Sequence, residues 1–150
     1  MTRIVRRVAL VAALACAGAA CDENLSDVAG PTPDLEPTFS SIQREIFNTT
    51  DSGGRLACIQ CHTDSGLAPA GGLVLLEGRS YAALVNRASR FKAGAVLVIP
   101  NDPGNSYLVA KLEGRSDIVG QRMPRTSGPF LTEGQISIIR RWIELGAQND

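Results

Sequence analysis

The sequence predicts an all-α domain of about four short helices joined by long loops, and three observations carry that expectation. Apolar residues recur at helical spacing in several separate stretches, among them Ile42 and Ile46, Leu108 with Leu112, and Ile136 with Ile139 and Ile143. Capping or turn residues bound those stretches. The single β-branched run, "AVLVIP" at residues 95–100, has no partner of similar character, so it is expected to be extended without joining a sheet.

The chain has 150 residues, the length of one domain with a tail. Arg3, Arg6 and Arg7 precede an apolar run from Val8 to Ala20, which is too short to span a bilayer comfortably and is followed by small residues. Residues 1–20 are therefore expected to be a secretory signal peptide. Two endings fit it. Ala17, Gly18, Ala19 and Ala20 allow ordinary signal-peptidase cleavage, which would leave Cys21 an incidental thiol. The same residues before Cys21 resemble a bacterial lipobox, with Gly18 where a leucine is usual, and this reading makes Cys21 the lipidated first residue of a membrane-tethered lipoprotein. Cys16 is a weaker candidate for that role. Both endings carry the protein out of the cytoplasm, to the periplasmic side.

Residues 21–37 form an acidic linker. Asp22, Glu23, Asp27, Asp34 and Glu36 alternate with Pro31, Pro33 and Pro37 without one basic residue, a composition expected to stay extended. Formal charge is zero over the whole chain, but 12 basic against 15 acidic residues remain once residues 1–20 are removed. Nothing is basic enough to point to nucleic acid.

The domain is expected over residues 38–150. The first helix should run from Thr38 to about Asn48, with Ser40 and Gln43 as a capping box, before the turn residues "NTTDSGGR". Ser80 can cap a short helix through "YAALVN". Asp102 followed by Pro103 reads as the start of a third helix, which Gly114 stops. Thr132 and Gln135 form a capping box ahead of Ile136, Ile139, Trp142 and Ile143, and Gly146 ends that last helix. Helices this short bury little apolar surface, so a further component is expected at the centre.

The chemistry is concentrated in "CIQCH", residues 58–62, which contains the only histidine. A zinc site needs four ligands, and the domain has no further Cys or His beyond Cys58, Cys61 and His62. A thioredoxin-like pair belongs in an alternating strand and helix pattern that is missing. A disulfide across two residues is strained. C-x-x-C-H is the attachment signature of c-type haem. Two thiols on one helical turn can each add to a porphyrin vinyl group, and the next residue brings an imidazole to the iron. His62 would be the proximal ligand, its other ring nitrogen donating to a backbone carbonyl. Since Met1 leaves with the signal, Met123 in the Gly- and Pro-rich stretch "GQRMPRTSGPF" is the one remaining methionine and the expected distal ligand. Met/His ligation raises the potential and closes the iron to oxygen chemistry.

From about Phe39 to Ala147 the chain resembles a class I c-type cytochrome domain. The resemblance rests on Cys58, Cys61 and His62, the "RMP" around Met123, "PNDPGNSYLVAKLEG" and the closing "LTEGQISIIRRWIELGA". It implies a cytochrome c-like fold around one covalently bound haem c, with the first and last helices crossing beside it and Phe47 and Trp142 in the core. Pro69 stands where the family has a proline accepting the histidine N–H, and that acceptor stays open here. Arg122 and Arg125 flank the methionine, and Tyr81 and Tyr107 are within the domain; all four are candidates to meet haem propionates, against a plain surface or packing role.

The function expected is an exported monohaem electron carrier, not itself an enzyme, passing single electrons between redox partner proteins. The alternatives are the electron-accepting subunit of a periplasmic dehydrogenase or oxidase, and a haem sensor or peroxidase-like site, which would need Met123 off the iron.

Overall fold

A computed structural model of the chain describes residues 34–65, 69–125 and 128–150. The expected signal peptide, Cys16, Cys21 and most of the acidic linker lie outside the described residues. The described part is helical, with no strand, and its folded body takes in Leu35, which is buried among the core residues a little before the expected start at residue 38.

Helix α1 (Phe39–Ile42) passes directly into a π-helical turn, Gln43–Phe47, closed by the Asn48 N–H donating to the Gln43 carbonyl at 2.9 Å. Its cap is Thr38, not the expected Ser40. Thr38 has extended φ and ψ and its Oγ1 accepts the Ser41 N–H, whereas Ser40 already lies inside the helix. The remaining free donors at this end are met from the far end of the sequence: Phe39 N–H donates to Asp150 Oδ1 and Ser40 N–H to the Asp150 carbonyl, each at 2.8 Å.

Gln43, expected in a cap, is buried and bridges three segments. Its Nε2 donates to the Leu75 carbonyl at 2.9 Å and to Asn48 Oδ1 at 2.7 Å, and its Oε1 accepts the Ser80 hydroxyl proton. That last bond also overturns the expected cap of the second helix. α2 (Ser80–Leu84) begins without a side-chain cap because the Ser80 hydroxyl is committed to Gln43.

Residues 95–100 are extended as expected and join no sheet. Val98 pairs with Val85 and Val96 with Ala88 as isolated bridges. α3 (Tyr107–Glu113) begins four residues later than the Asp102–Pro103 signal. Asp102 instead holds a turn, accepting from the Asn105 N–H at 3.1 Å and from Asn105 Nδ2 at 2.7 Å. Ser106 then precedes the helix, its hydroxyl accepting the Ile99 N–H at 2.9 Å. Gly114, at φ 72°, ends α3 as expected.

α4 (Glu133–Glu144) carries the expected capping box, with Gln135 N–H to Thr132 Oγ1 at 3.1 Å and Thr132 N–H to Gln135 Oε1 at 3.0 Å. Its buried stripe is Ile136, Ile139, Trp142 and Ile143. The first and last helices meet through aromatic rings: Phe39 lies 5.3 Å from Trp142, 5.2 Å from Tyr81 and 6.4 Å from Phe47, centroid to centroid. Trp142 is a packing residue, with its Nε1–H donating to the Gln148 carbonyl at 2.8 Å.

Because Gln43 satisfies a buried carbonyl and a buried hydroxyl at once, Gln43→Ala orphans two groups and should cost about 2 kcal/mol or more in urea unfolding. Thr132→Ala, which removes only a helix cap, should cost about 1 kcal/mol. Equal losses from the two variants would contradict the bridging role.

Candidate functional site

Cys58–Gln60 forms a single tight turn in which the Cys61 and His62 N–H groups both donate to the Cys58 carbonyl, at 3.2 and 2.9 Å. Both thiols are free. Cys58 is half-buried with its Sγ 3.6 Å from the Ile46 carbonyl, and Cys61 is exposed. Burial pushes the Cys58 thiol above its ordinary value, opposed by the nearby Arg55 guanidinium.

Arg55 has no counterpart in the sequence reading. It is fully buried, with its Nε 3.1 Å from Asp51 Oδ2 and its terminal nitrogens donating to the Ile46, Leu56 and Thr49 carbonyls, each at 3.2 Å. It joins the end of the π-helical turn to the residues leading into Cys58. Nothing in a single Arg after two glycines signals that role.

His62 is half-buried and its Nδ1 lies 3.3 Å from the Leu73 carbonyl. With Nδ1–H donating there, Nε2 keeps the lone pair. Burial holds the imidazole below its ordinary value, and the Leu73 and Ala70 carbonyls oppose that more weakly. The acceptor left open in the sequence is thus Leu73, and Pro69 is not the partner. Two more bonds bind this loop to the cysteine turn: Ala70 N–H to the Cys61 carbonyl at 3.1 Å and Leu75 N–H to the His62 carbonyl at 2.8 Å.

Leu73 also forms part of the wall of a cavity of about 570 Å³, within the range of about 300–1,000 Å³ common for small-molecule sites. Leu97, Tyr107, Leu108, Val119 and Met123 supply other apolar parts of the lining. Cys58, Cys61 and His62 do not line it; the wall nearest them in sequence is Ala70–Leu73, to which they are bonded. The structure therefore brings Met123 to the cavity directly and His62 to its wall. Among the described residues, no three His, Cys, Asp or Glu side chains gather as a metal-holding group.

Met123 is moored to α3. Its N–H donates to the Lys111 carbonyl at 2.9 Å, while Lys111 Nζ donates to the carbonyls of Val119, at 3.0 Å, and Gln121. Tyr107, one turn earlier, accepts the Val119 N–H on its hydroxyl at 2.9 Å. Arg122 Nε donates to the Leu112 carbonyl at 2.6 Å and its guanidinium lies 4.2 Å from the Phe130 ring centroid. Arg122 is consequently a brace for this loop. Tyr81 donates its hydroxyl proton to the Ala147 carbonyl at 2.9 Å, and Arg125 lines the cavity. The pairing of Tyr107 with Lys111 at helical spacing was the one sequence signal that could have exposed this mooring.

No protein-family model, curated protein or solved structure matches the chain.

A Cβ placed at Gly114 would lie 2.8 Å from Arg122 Cδ, in a backbone conformation that disfavours any side chain. Gly114→Ala should therefore destabilise by more than about 1 kcal/mol and speed hydrogen exchange at the Met123 amide. Unchanged protection of that amide would show that the loop does not depend on this contact.

Proposed function

We propose that the chain is an exported monohaem c-type cytochrome that carries single electrons between periplasmic or membrane redox proteins, with a class I cytochrome c fold. The observation that carries the reading is the "CIQCH" turn, whose histidine has one ring nitrogen held by a backbone carbonyl and the other free. Cys58 and Cys61 would form the thioether bonds, His62 would be the proximal iron ligand and Met123 the distal one. The bound haem would supply a one-electron couple at its iron.

The fit of this chain to such a group has support from four features. The donor set is a neutral-favouring imidazole and a thioether, both suited to haem iron. The cavity wall is largely apolar, which suits a porphyrin face and keeps water away from it. Leu73 contributes its carbonyl to His62 and its side chain to the cavity, so the imidazole and the wall are fixed together. Met123 is held by a backbone bond to a helix and does not rely on the loop alone.

Export follows from residues 1–20, and lipidation at Cys21 would tether the domain through the acidic linker to a membrane surface. Among the described residues no helix is long and apolar enough to cross a membrane.

The purified protein should give a pyridine haemochrome spectrum of haem c with two saturated vinyl positions; a protein without covalent haem would end this reading. Met123→Ala should abolish the sulfur-to-ferric-iron charge-transfer band and lower the midpoint potential, and an unchanged spectrum would remove Met123 from the iron. Mass spectrometry of the membrane-bound form should find acyl chains on Cys21, whereas a free thiol or a cleaved soluble form would exclude the anchor.

A further inference from the structure

Two separate loops contribute to the mouth of the cavity that Met123 lines. Ser89, Arg90 and Phe91 belong to one, and Val119, Gly120 and Gln121 to the other. Each loop is rooted in α3 at its own points. Behind the first, the Val96 and Leu97 carbonyls accept the Tyr107 and Leu108 N–H groups, both at 2.9 Å. The second hangs from the Tyr107 hydroxyl, the Lys111 ammonium and the Lys111 carbonyl.

Among the described residues, one side chain joins the two loops to each other through hydrogen bonds. Lys92 Nζ donates to the Asp117 carbonyl at 2.8 Å and to Asp117 Oδ2 at 2.7 Å. It also lies 5.2 Å from the ring centroid of Tyr107, whose hydroxyl accepts the Val119 N–H. Lys92 is held at its own backbone, with its N–H donating to Ser89 Oγ and its carbonyl accepting the Ala95 N–H, each at 3.2 Å. The bond from its ammonium therefore ties the whole 89–95 turn to the second loop. The strength of this tie suits a fastening that opens. The two side chains are 28% and 62% exposed, and an exposed pair contributes too little to hold a domain together. It is nevertheless comparable with the cost of opening a surface loop, which runs upward from near zero. Such a pair can govern local opening while leaving global stability alone.

We propose that Lys92 and Asp117 form a latch across the mouth of the cavity. Paired, they hold the two loops together; separated, they let the loops part and admit a small apolar molecule. Phe91 and Val119, exposed by 65% and 49%, stand one on each loop and are the first apolar surfaces that such a molecule meets. Mobile ions screen an exposed pair, so the latch loosens as ionic strength rises. It does not depend on what the cavity holds.

The test compares amide hydrogen exchange in the full chain with that in Lys92→Gln, Asp117→Asn and the double variant. The informative amides are Ser89, which donates to the Ala95 carbonyl, and Val119, which donates to the Tyr107 hydroxyl. Either single variant should speed exchange at both amides by roughly fivefold, and the double variant should add nothing further. About 1 M salt should bring the unsubstituted chain to the variants' rates and leave the variants unchanged. Relaxation of the Leu97 and Leu108 methyls by the small neutral nitroxide TEMPOL should rise in step, while the urea midpoint stays that of the wild type. Lys92→Arg, which keeps the charge, should restore slow exchange, and Arg141→Gln, which removes a cation paired with Glu144, should change neither amide. Unchanged exchange, faster exchange confined to the substituted loop, or additive effects in the double variant would each overturn the latch. Faster exchange on both loops without greater nitroxide access would overturn its control of entry. The salt comparison needs no substitution, and it decides the question where a variant misfolds.

Discussion

The segment Leu73–Leu75 is the constraint on which the rest of the domain depends. On one side, the Leu73 carbonyl receives the His62 ring nitrogen and the Leu75 N–H donates to the His62 carbonyl. On the other, the Leu75 carbonyl receives the Gln43 amide, which also ties the π-helical turn to α2. The Leu75 side chain is buried in the core and Leu73 forms part of the cavity wall. Three residues of extended chain thus fix the cysteine turn to the first helix, and the imidazole to the cavity. Replacing these hydrogen bonds with water would loosen the cysteine turn and the cavity wall together, since both draw part of their order from the same backbone partners.

The helices are short, and polar bonds between helices, loops and the chain's last residue add to the apolar core they share. Asp150 supplies the donors of α1 with acceptors, Ser106 holds the 95–100 segment to the start of α3, and Arg55 gathers three carbonyls beside Cys58. Asp150 reaches its partners across the length of the domain, whereas Ser106 and Arg55 find theirs within ten residues along the chain. Buried Arg55 is tolerable because Asp51 and the carbonyls replace its water; stripped of them it would be a lone charge in the interior.

The features legible in the sequence were those decided locally. The capping box of α4 depends on residues three apart with nothing competing for them, and the stop at Gly114 depends on a φ that glycine alone adopts easily. Where a long-range partner competed, local signals failed. Ser40 with Gln43 and Ser80 with its helix both looked like caps, yet Gln43 and Ser80 bond to each other across the core. Asp102 before Pro103 failed for a local reason: its carboxylate closes a turn onto Asn105, three residues on, and the helix waits for Ser106. The same division holds at the site. Residue type and count single out Cys58, Cys61, His62 and Met123 as candidates, whereas Leu73 as the acceptor, Arg55 behind Cys58 and the mooring of Met123 needed the folded chain.

On the proposed reading, that mooring would let two distant loops serve one site. The cysteine turn is fastened through Leu73–Leu75 to the first helix, and the Met123 loop is fastened through Lys111, Leu112 and Tyr107 to α3. The spacing between the two loops is therefore set by how the helices pack, through Val109 and Leu112 of α3 and Ile139 and Ile143 of α4 in the core they share with Phe47 and Ile46. Packed cores resist small displacements because every contact falls off steeply with distance. On the haem reading proposed above, a ligand pair carried this way would keep its separation in both charge states of the iron, and electron transfer would gain from a site that does not rearrange when one charge is added or removed.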